Sequence, residues 1–235
     1  MTVAPLLLIE QLSVFYGQFQ ALHQVDLEIG SGEAVAIIGA NGAGKSSLLK
    51  AIVRQAPRIE GTIRFDGEVL ASHSTSSIVG KGIALVPEGR RLFPSLTVEE
   101  NLGIGRDVGH RGRFGFDEIY ALFPALQEKR RQLARTLSGG QQQMVALSRA
   151  LLSNPRLLLC DEISLGLAPV AIDALYRIIP GIQAQGLAVV VVEQDITRSL
   201  AIADRFYCLL EGRVNLAGRP AEVSRDVIVK HYFGL

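Results

Sequence analysis

The residues best suited to chemistry form one compact run, GANGAGKS over Gly39–Ser46. Gly39, Gly44, Lys45 and Ser46 satisfy the spacing G-x-x-x-x-G-K-[ST], for which this composition gives only about 0.004 chance matches. Glycines let backbone N–H groups curl around phosphate oxygens with no side chain in the way. A helix opening after the loop adds partial positive charge. Lys45 is then placed to reach the β- and γ-phosphates of a nucleotide, and the Ser46 hydroxyl to ligate Mg²⁺. The candidate binding residues here are Gly39, Asn41, Gly42, Ala43, Gly44, Lys45, Ser46 and Ser47.

A second run, Leu157–Glu162, is an apolar strand that ends in two acids, Asp161 and Glu162. Acids at the end of a buried strand are costly unless a cation or hydrogen bonds compensate. With a phosphate loop in the same chain, Asp161 is a candidate metal ligand beside Ser46. Glu162 is the candidate that orients an attacking water. A third run, Leu137-Ser-Gly-Gly-Gln141, precedes a helical stripe. Ser138 is a natural N-cap, and Gly139 and Gly140 leave the helix end open to an anion.

These groups need elements to hold them. Ala34–Ile38 is a fully apolar run, the pattern of a buried strand, and Leu48, Leu49, Ile52 and Val53 make a helical stripe after the loop. Ile83–Val86, Leu157–Cys160 and Leu187–Val192 read as further buried strands. Thr97 and Glu100 have capping-box spacing, so a helix starts at Thr97. Met144, Leu147, Leu151 and Leu152 form a second helical stripe, stopped by Asn154-Pro155. Val170–Ala184 is helical in pattern, with Pro180 expected to kink or end it. Gly103–Gly115, rich in Gly and Arg, is expected to be a mobile loop. Leu6–Phe15 and Ala21–Ile29 are early strands, Glu60–Val69 holds two short ones around Asp66-Gly67, and Phe206–Leu216 suggests a terminal hairpin. Alternating strands and helices give an α/β fold with a mainly parallel sheet flanked by helices. A small antiparallel β part is expected over about 1–35 and 58–70, and a helical part over about 90–153, within one domain spanning 1–235.

Composition excludes several classes. Of 235 residues, 48% are hydrophobic and 20% charged, and the net charge is +1. A near-zero charge argues against a dedicated nucleic-acid binder. No apolar run approaches the roughly 20 residues of a spanning helix. The opening MTVAPLLLIE lacks the basic and long apolar regions of a secretory signal. Cys160 and Cys208 lie in apolar runs and are expected in the core, and the scattered histidines have no zinc-ligand spacing.

Taken together, the three runs resemble the nucleotide-binding subunit of an ABC transporter, along nearly the whole chain. Gly39–Ser46 resembles the Walker A loop, Leu157–Glu162 the Walker B strand, and Leu137–Gln141 the ABC signature, which adds Ser138, Gly139, Gly140 and Gln141 to the nucleotide site. The resemblance implies the phosphate-loop ABC ATPase fold, and hydrolysis of ATP with Mg²⁺. It also implies a head-to-tail dimer in which the phosphate loop of one subunit faces the signature of the other. Tyr16 sits where the family stacks an aromatic ring on adenine, and Ser164–Leu167 where its D-loop lies. The usual glutamine is replaced by Glu88, a candidate metal ligand, and the usual switch histidine by Gln194. Ile163 departs too, and is expected to loosen the turn that follows Glu162. Glu88 and its neighbours, Ser164–Pro169 and the ending Tyr232–Leu235 are similar to one subfamily, the second ATP-binding subunit of high-affinity branched-chain amino acid importers. The implied catalytic residues are Glu162, Gln194 and Lys45. The implied partners are integral-membrane permease subunits, a second cassette or a second copy, and indirectly a solute-binding protein, with no nucleic acid. The implied location is peripheral, on the cytoplasmic face of the bacterial plasma (inner) membrane. Two other readings stand beside this one: a nucleotide-gated regulatory module with little turnover, and an importer ATPase for urea or another small solute.

Overall fold

The computed structural model describes residues 4–235. Two sheets share the work. The first has strand order β2-β1-β4-β5, built from β1 (Leu7–Tyr16), β2 (Phe19–Ile29), β4 (Arg58–Phe65) and β5 (Glu68–Val69), all antiparallel. The second joins β3 (Ala34–Ile38), β6 (Ile83–Val86), β7 (Leu157–Asp161), β8 (Ala188–Glu193), β9 (Arg205–Leu210) and β10 (Arg213–Gly218), in the order β10-β9-β3-β8-β7-β6. It is parallel except for the β9–β10 hairpin at one edge.

Side chains alternate across a strand, and that period of two sorts the core. Leu157 and Leu159 of β7, with Val190 and Val192 of β8, face the antiparallel sheet and α1 (Lys45–Ile52). Leu158 and Cys160, with Val189 and Val191, face the opposite layer of α3 (Val98–Val108), α6 (Gly139–Leu151) and α7 (Pro169–Gln183). A parallel sheet covered on both faces explains why these strands read as unbroken apolar runs. Asp161, in step with Leu157 and Leu159, projects toward α1. Glu193, in step with Val189 and Val191, projects the other way.

Short helices α2 (Thr75–Gly80), α4 (Phe116–Leu122) and α5 (Pro124–Glu128) fill the connections, while α8 (Ile196–Ile202) and α9 (Arg225–Phe233) cover the β9 end of the sheet. The box at the start of α3 is closed as its spacing predicts: Thr97 Oγ1 accepts from the Glu100 amide at 3.2 Å, and Glu100 Oε2 accepts from the Thr97 amide at 2.7 Å.

Two expectations are corrected. Gly103–Gly115 is not a loop throughout, because α3 runs on to Val108. Its Gly105 is buried at the crossing with α6, where a Cβ would overlap the Arg149 carbonyl. Gly105 serves close helix approach rather than mobility, and the remainder is tied down by Asn154. Asn154 Oδ1 accepts from the Phe114 amide at 2.7 Å, and its Nδ2 donates to the His110 carbonyl at 3.1 Å. Pro180 does not end α7 either. It lies one turn from the helix end, and its carbonyl accepts from the Ala184 amide at 2.9 Å. Among the described residues no helix is long and apolar enough to cross a membrane.

Candidate active site

Strand β3 ends at Ile38 and passes at once into the glycine loop. Gly39 has φ 156°, and a Cβ there would overlap the Leu209 carbonyl of β9. Gly44 has φ 101°, with Leu22 Cδ2 2.6 Å from where a Cβ would stand. No other residue type fits either position without shifting a neighbouring strand. Gly44 also begins α1 without a side-chain cap, so the helix start is left for an external anion.

Lys45, only 5% exposed, folds back over the loop. Its Nζ donates to the carbonyls of Gly39 at 2.7 Å and Ala40 at 3.1 Å, and stands 3.7 Å from Glu162 Oε1. Burial holds its pKa below the usual lysine value, against the pull of Glu162 and Asp161. Ser46 Oγ donates to Asp161 Oδ1 at 3.0 Å. Burial pushes the Asp161 carboxyl up, and the Ser46 bond opposes the rise. A hydroxyl and a buried carboxylate that makes no ion pair among the described residues form a hard-oxygen donor set, the kind Mg²⁺ prefers. By this test the residues fit the metal.

Glu162 takes the left-handed conformation, φ 47°, with its amide donating to the Val192 carbonyl at 2.9 Å. Gln194 Nε2 donates to Glu162 Oε2 at 2.8 Å. A cavity of about 530 Å³ gathers Asn41, Gly42, Gly44, Lys45, Ser46, Ser47, Glu88, Glu162 and Gln194. That volume is within the usual range for a small-molecule site. Gly39, Ala43 and Asp161 are buried directly behind it. Glu88 stands exposed at the head of a turn whose next three residues are all left-handed: Gly89 at φ 76°, Arg90 at 65° and Arg91 at 45°. Arg149 of α6 stabilises that turn by donating to the Arg90 carbonyl at 3.3 Å and the Arg91 carbonyl at 2.9 Å.

Other sequence candidates lie elsewhere. Tyr16 does not line the cavity. It packs half-buried against the core, with its hydroxyl buried and unpartnered among the described residues. The aromatic that does line it is Phe19, 68% exposed just beyond the turn at Gly17. Ser138, Gly139, Gly140 and Gln141 do not line it either. Ser138 is an exposed cap whose Oγ accepts from the Gln141 amide at 3.3 Å, while Gln141 Oε1 accepts from the Ser138 amide at 3.1 Å. Ile163 does not loosen its turn. It is 1% exposed and packs among α7 and β7 side chains, so it anchors the turn. Sequence reasoning missed Phe19, Arg149 and Glu193. Only Glu193 gave a signal, as an acid ending a fully apolar strand.

The Gln194–Glu162 bond makes a test of its own. A histidine at 194 titrates near neutral pH where glutamine does not. Gln194→His is expected to add an inflection between about pH 6 and 7.5 to the turnover profile. Superimposable profiles would remove Gln194 from the reacting geometry.

A glycine loop run into a helix, with acids brought alongside from β7 two strands away, defines a phosphate-loop nucleotide-hydrolysing fold. The model of the ABC transporter family matches residues 22–164, from β2 to the turn beyond β7. The chain belongs to the ABC transporter family and is an ATPase of the ABC type. It is 47% identical over 207 residues, covering 87% of this chain and 89% of the relative, to the high-affinity branched-chain amino acid transport ATP-binding protein BraG of Pseudomonas aeruginosa. It is 33% identical over 220 residues, covering 91% and 92%, to the probable branched-chain amino acid transport ATP-binding protein LivF of Archaeoglobus fulgidus. Among solved structures it is similar to a dimeric ATP-binding cassette in a post-hydrolysis state bound to ADP and Pi. There the TM-score is 0.81 and the identity 27%, over 91% of this chain and 98% of that one.

Proposed function

We propose that the chain, acting as one ATP-binding domain, hydrolyses ATP to drive import of branched-chain or related amino acids through integral-membrane permease subunits. The observation that carries this reading is the convergence of Lys45, Ser46, Asp161 and Glu162 on the phosphate-loop cavity. The cargo rests on likeness to proteins whose names specify branched-chain amino acid transport. The proposed site is the cytoplasmic face of the bacterial inner membrane, bound peripherally. A solute-binding protein acts indirectly, on the permease side, and no nucleic acid takes part.

Lys45 gives up the Gly39 and Ala40 carbonyls and meets the outer phosphates of ATP. Backbone groups of Asn41–Ser47 wrap the same phosphates. Ser46 and Asp161 would hold Mg²⁺, with Glu88 a further candidate ligand. When bound, Mg²⁺ would neutralise charge that develops on the transferring phosphoryl group. Glu162, held by Gln194, orients the attacking water for in-line displacement. Phe19 or, after a side-chain shift, Tyr16 packs against the base. The signature residues Ser138–Gln141 lie outside this chain's own cavity, so a second cassette or a second copy supplies them.

Mg²⁺-ATP turnover across protein concentration tests the reading. A rise steeper than linear is expected, since the complete site needs two subunits. Linear turnover at every concentration would overturn the shared site. ATP binding without turnover, even with permease added, would favour a nucleotide-gated module. Glu88 is expected to sharpen the Mg²⁺ dependence, because its carboxylate repels the phosphates until the metal arrives. Glu88→Gln should therefore flatten the Mg²⁺ curve, and equal curves would remove Glu88 from the metal site.

A further inference from the structure

The end of β8 carries a buried acid for which the hydrolytic scheme above has no use. Glu193 is 2% exposed and ends an otherwise apolar strand. Strand alternation turns it away from the phosphate loop, onto the α7 side of the sheet. There both carboxylate oxygens are used by one residue. Oε1 accepts from the Ser164 amide at 3.1 Å, and Oε2 accepts from the Ser164 hydroxyl at 2.7 Å. Burial pushes the Glu193 carboxyl up, while the Ser164 bonds and the Tyr176 hydroxyl pull it back. An acid is expensive to bury, so two donors spent on one serine mark a specific requirement.

What hangs from Ser164 shows the requirement. The Leu167 amide donates to the Ser164 carbonyl at 3.2 Å, and the Leu165 amide to the Glu162 carbonyl at 3.2 Å. Leu165 lines the same cavity as Glu162. Successive residues of one strand end therefore grip one turn. The Val192 carbonyl holds the Glu162 amide, Glu193 holds Ser164, and the Gln194 amide group holds the Glu162 carboxylate.

We propose that Glu193 is a positioning residue for hydrolysis: by clamping Ser164 it fixes the left-handed turn at Glu162 and aims that carboxylate, together with Leu165, into the nucleotide cavity. The inference rests on the reading of Glu162 as the water-orienting group.

The test uses the full chain with Glu193→Ala, Glu193→Gln, Ser164→Ala and Glu162→Gln. Each is followed by ATP turnover, by melting temperature and by amide hydrogen exchange at residues 162–165 without nucleotide. Glu193→Ala is expected to lower kcat about 10–100-fold with KM for ATP within about twofold, the size of effect expected from misplacing a reacting group by about an ångström. The same protein should exchange the Ser164 amide faster, with its melting temperature near that of wild type. Glu193→Gln keeps an acceptor for the Ser164 amide and should restore kcat to within a few-fold. Ser164→Ala should fall between the two. Wild-type kcat and slow Ser164 exchange in Glu193→Ala would overturn the proposal. So would a loss of kcat, KM and melting temperature together that glutamine does not rescue, since that marks a merely structural role. Should Glu162→Gln hydrolyse ATP at the wild-type rate, the reading of Glu162 would fall and the kinetic part of the proposal with it. The exchange measurement would then decide alone whether Glu193 holds the turn.

Discussion

Glu162→Gln is expected to lower ATP turnover about 10²–10⁴-fold while leaving ATP binding intact. At about 1.4 kcal/mol per decade, that is roughly 3–5 kcal/mol of barrier. Glutamine keeps the size of the side chain and can still bond Gln194, so the turn at φ 47° should survive. What disappears is the carboxylate that orders water beside the transferring phosphoryl group. The negative partner 3.7 Å from Lys45 disappears as well. With one competitor fewer, Lys45 is freer to meet phosphate, and nucleotide affinity should hold or rise. Turnover and equilibrium ATP binding, measured on the same preparation, check both halves. Unchanged turnover would remove Glu162 from the chemistry, and lost binding would mean the site had collapsed.

Gly105→Leu is expected to be the most damaging single change to the fold. A side chain there must pass through the Arg149 carbonyl, which is backbone and cannot turn aside. Helices α3 and α6 would have to separate, and overpacking of that severity costs about 3–5 kcal/mol. For a domain of this size each kcal/mol lowers the melting temperature about 2–4 °C, so a fall of about 6–20 °C is expected. Gly103→Ala is the matched control. Nothing lies within 4 Å of where its Cβ would stand, and alanine in a helix stabilises by about 0.5–1 kcal/mol relative to glycine. Thermal melts of the two variants should move in opposite directions. A Gly105→Leu protein that melts like wild type would mean the two helices slide apart freely.

The contrast between those glycines shows where the sequence is legible. Gly39 and Gly44 stand at fixed offsets from a lysine and a serine, so their purpose can be read from spacing alone. Gly105 is needed only because α6, some forty residues later, crosses at that point, and a one-dimensional pattern carries no trace of the crossing. The capping box at Thr97 and the N-cap at Ser138 were legible for the same reason as the phosphate loop, since each is a short-range pattern along the chain. Helices α4 and α5 were not. Each is too short to show a period, and Pro124 reads as a break although it occupies the first turn of α5. In the site, the sequence identified the groups but not their partners. That Gln194 reaches Glu162, and that Glu193 turns inward to Ser164, follows from strand parity at the end of β8. Phe19 escaped notice because the preceding Tyr16 satisfied a family position, and only the path of the β1–β2 turn separates the two rings.

Both cysteines are fully buried, Cys160 on β7 one strand in from the β6 edge and Cys208 on β9 beside β3. Burial pushes the Cys208 thiol up to about 11 and the Cys160 thiol further still, so neither forms thiolate at neutral pH. Thiol reagents react with thiolate, and a folded chain offers them none. Modification must wait for β7 and β9 to leave the sheet, so the labelling rate of the native protein measures how often the sheet opens. A nucleotide that binds only the folded chain would slow that labelling in proportion to its occupancy, which makes affinity measurable in a protein that turns over nothing at all.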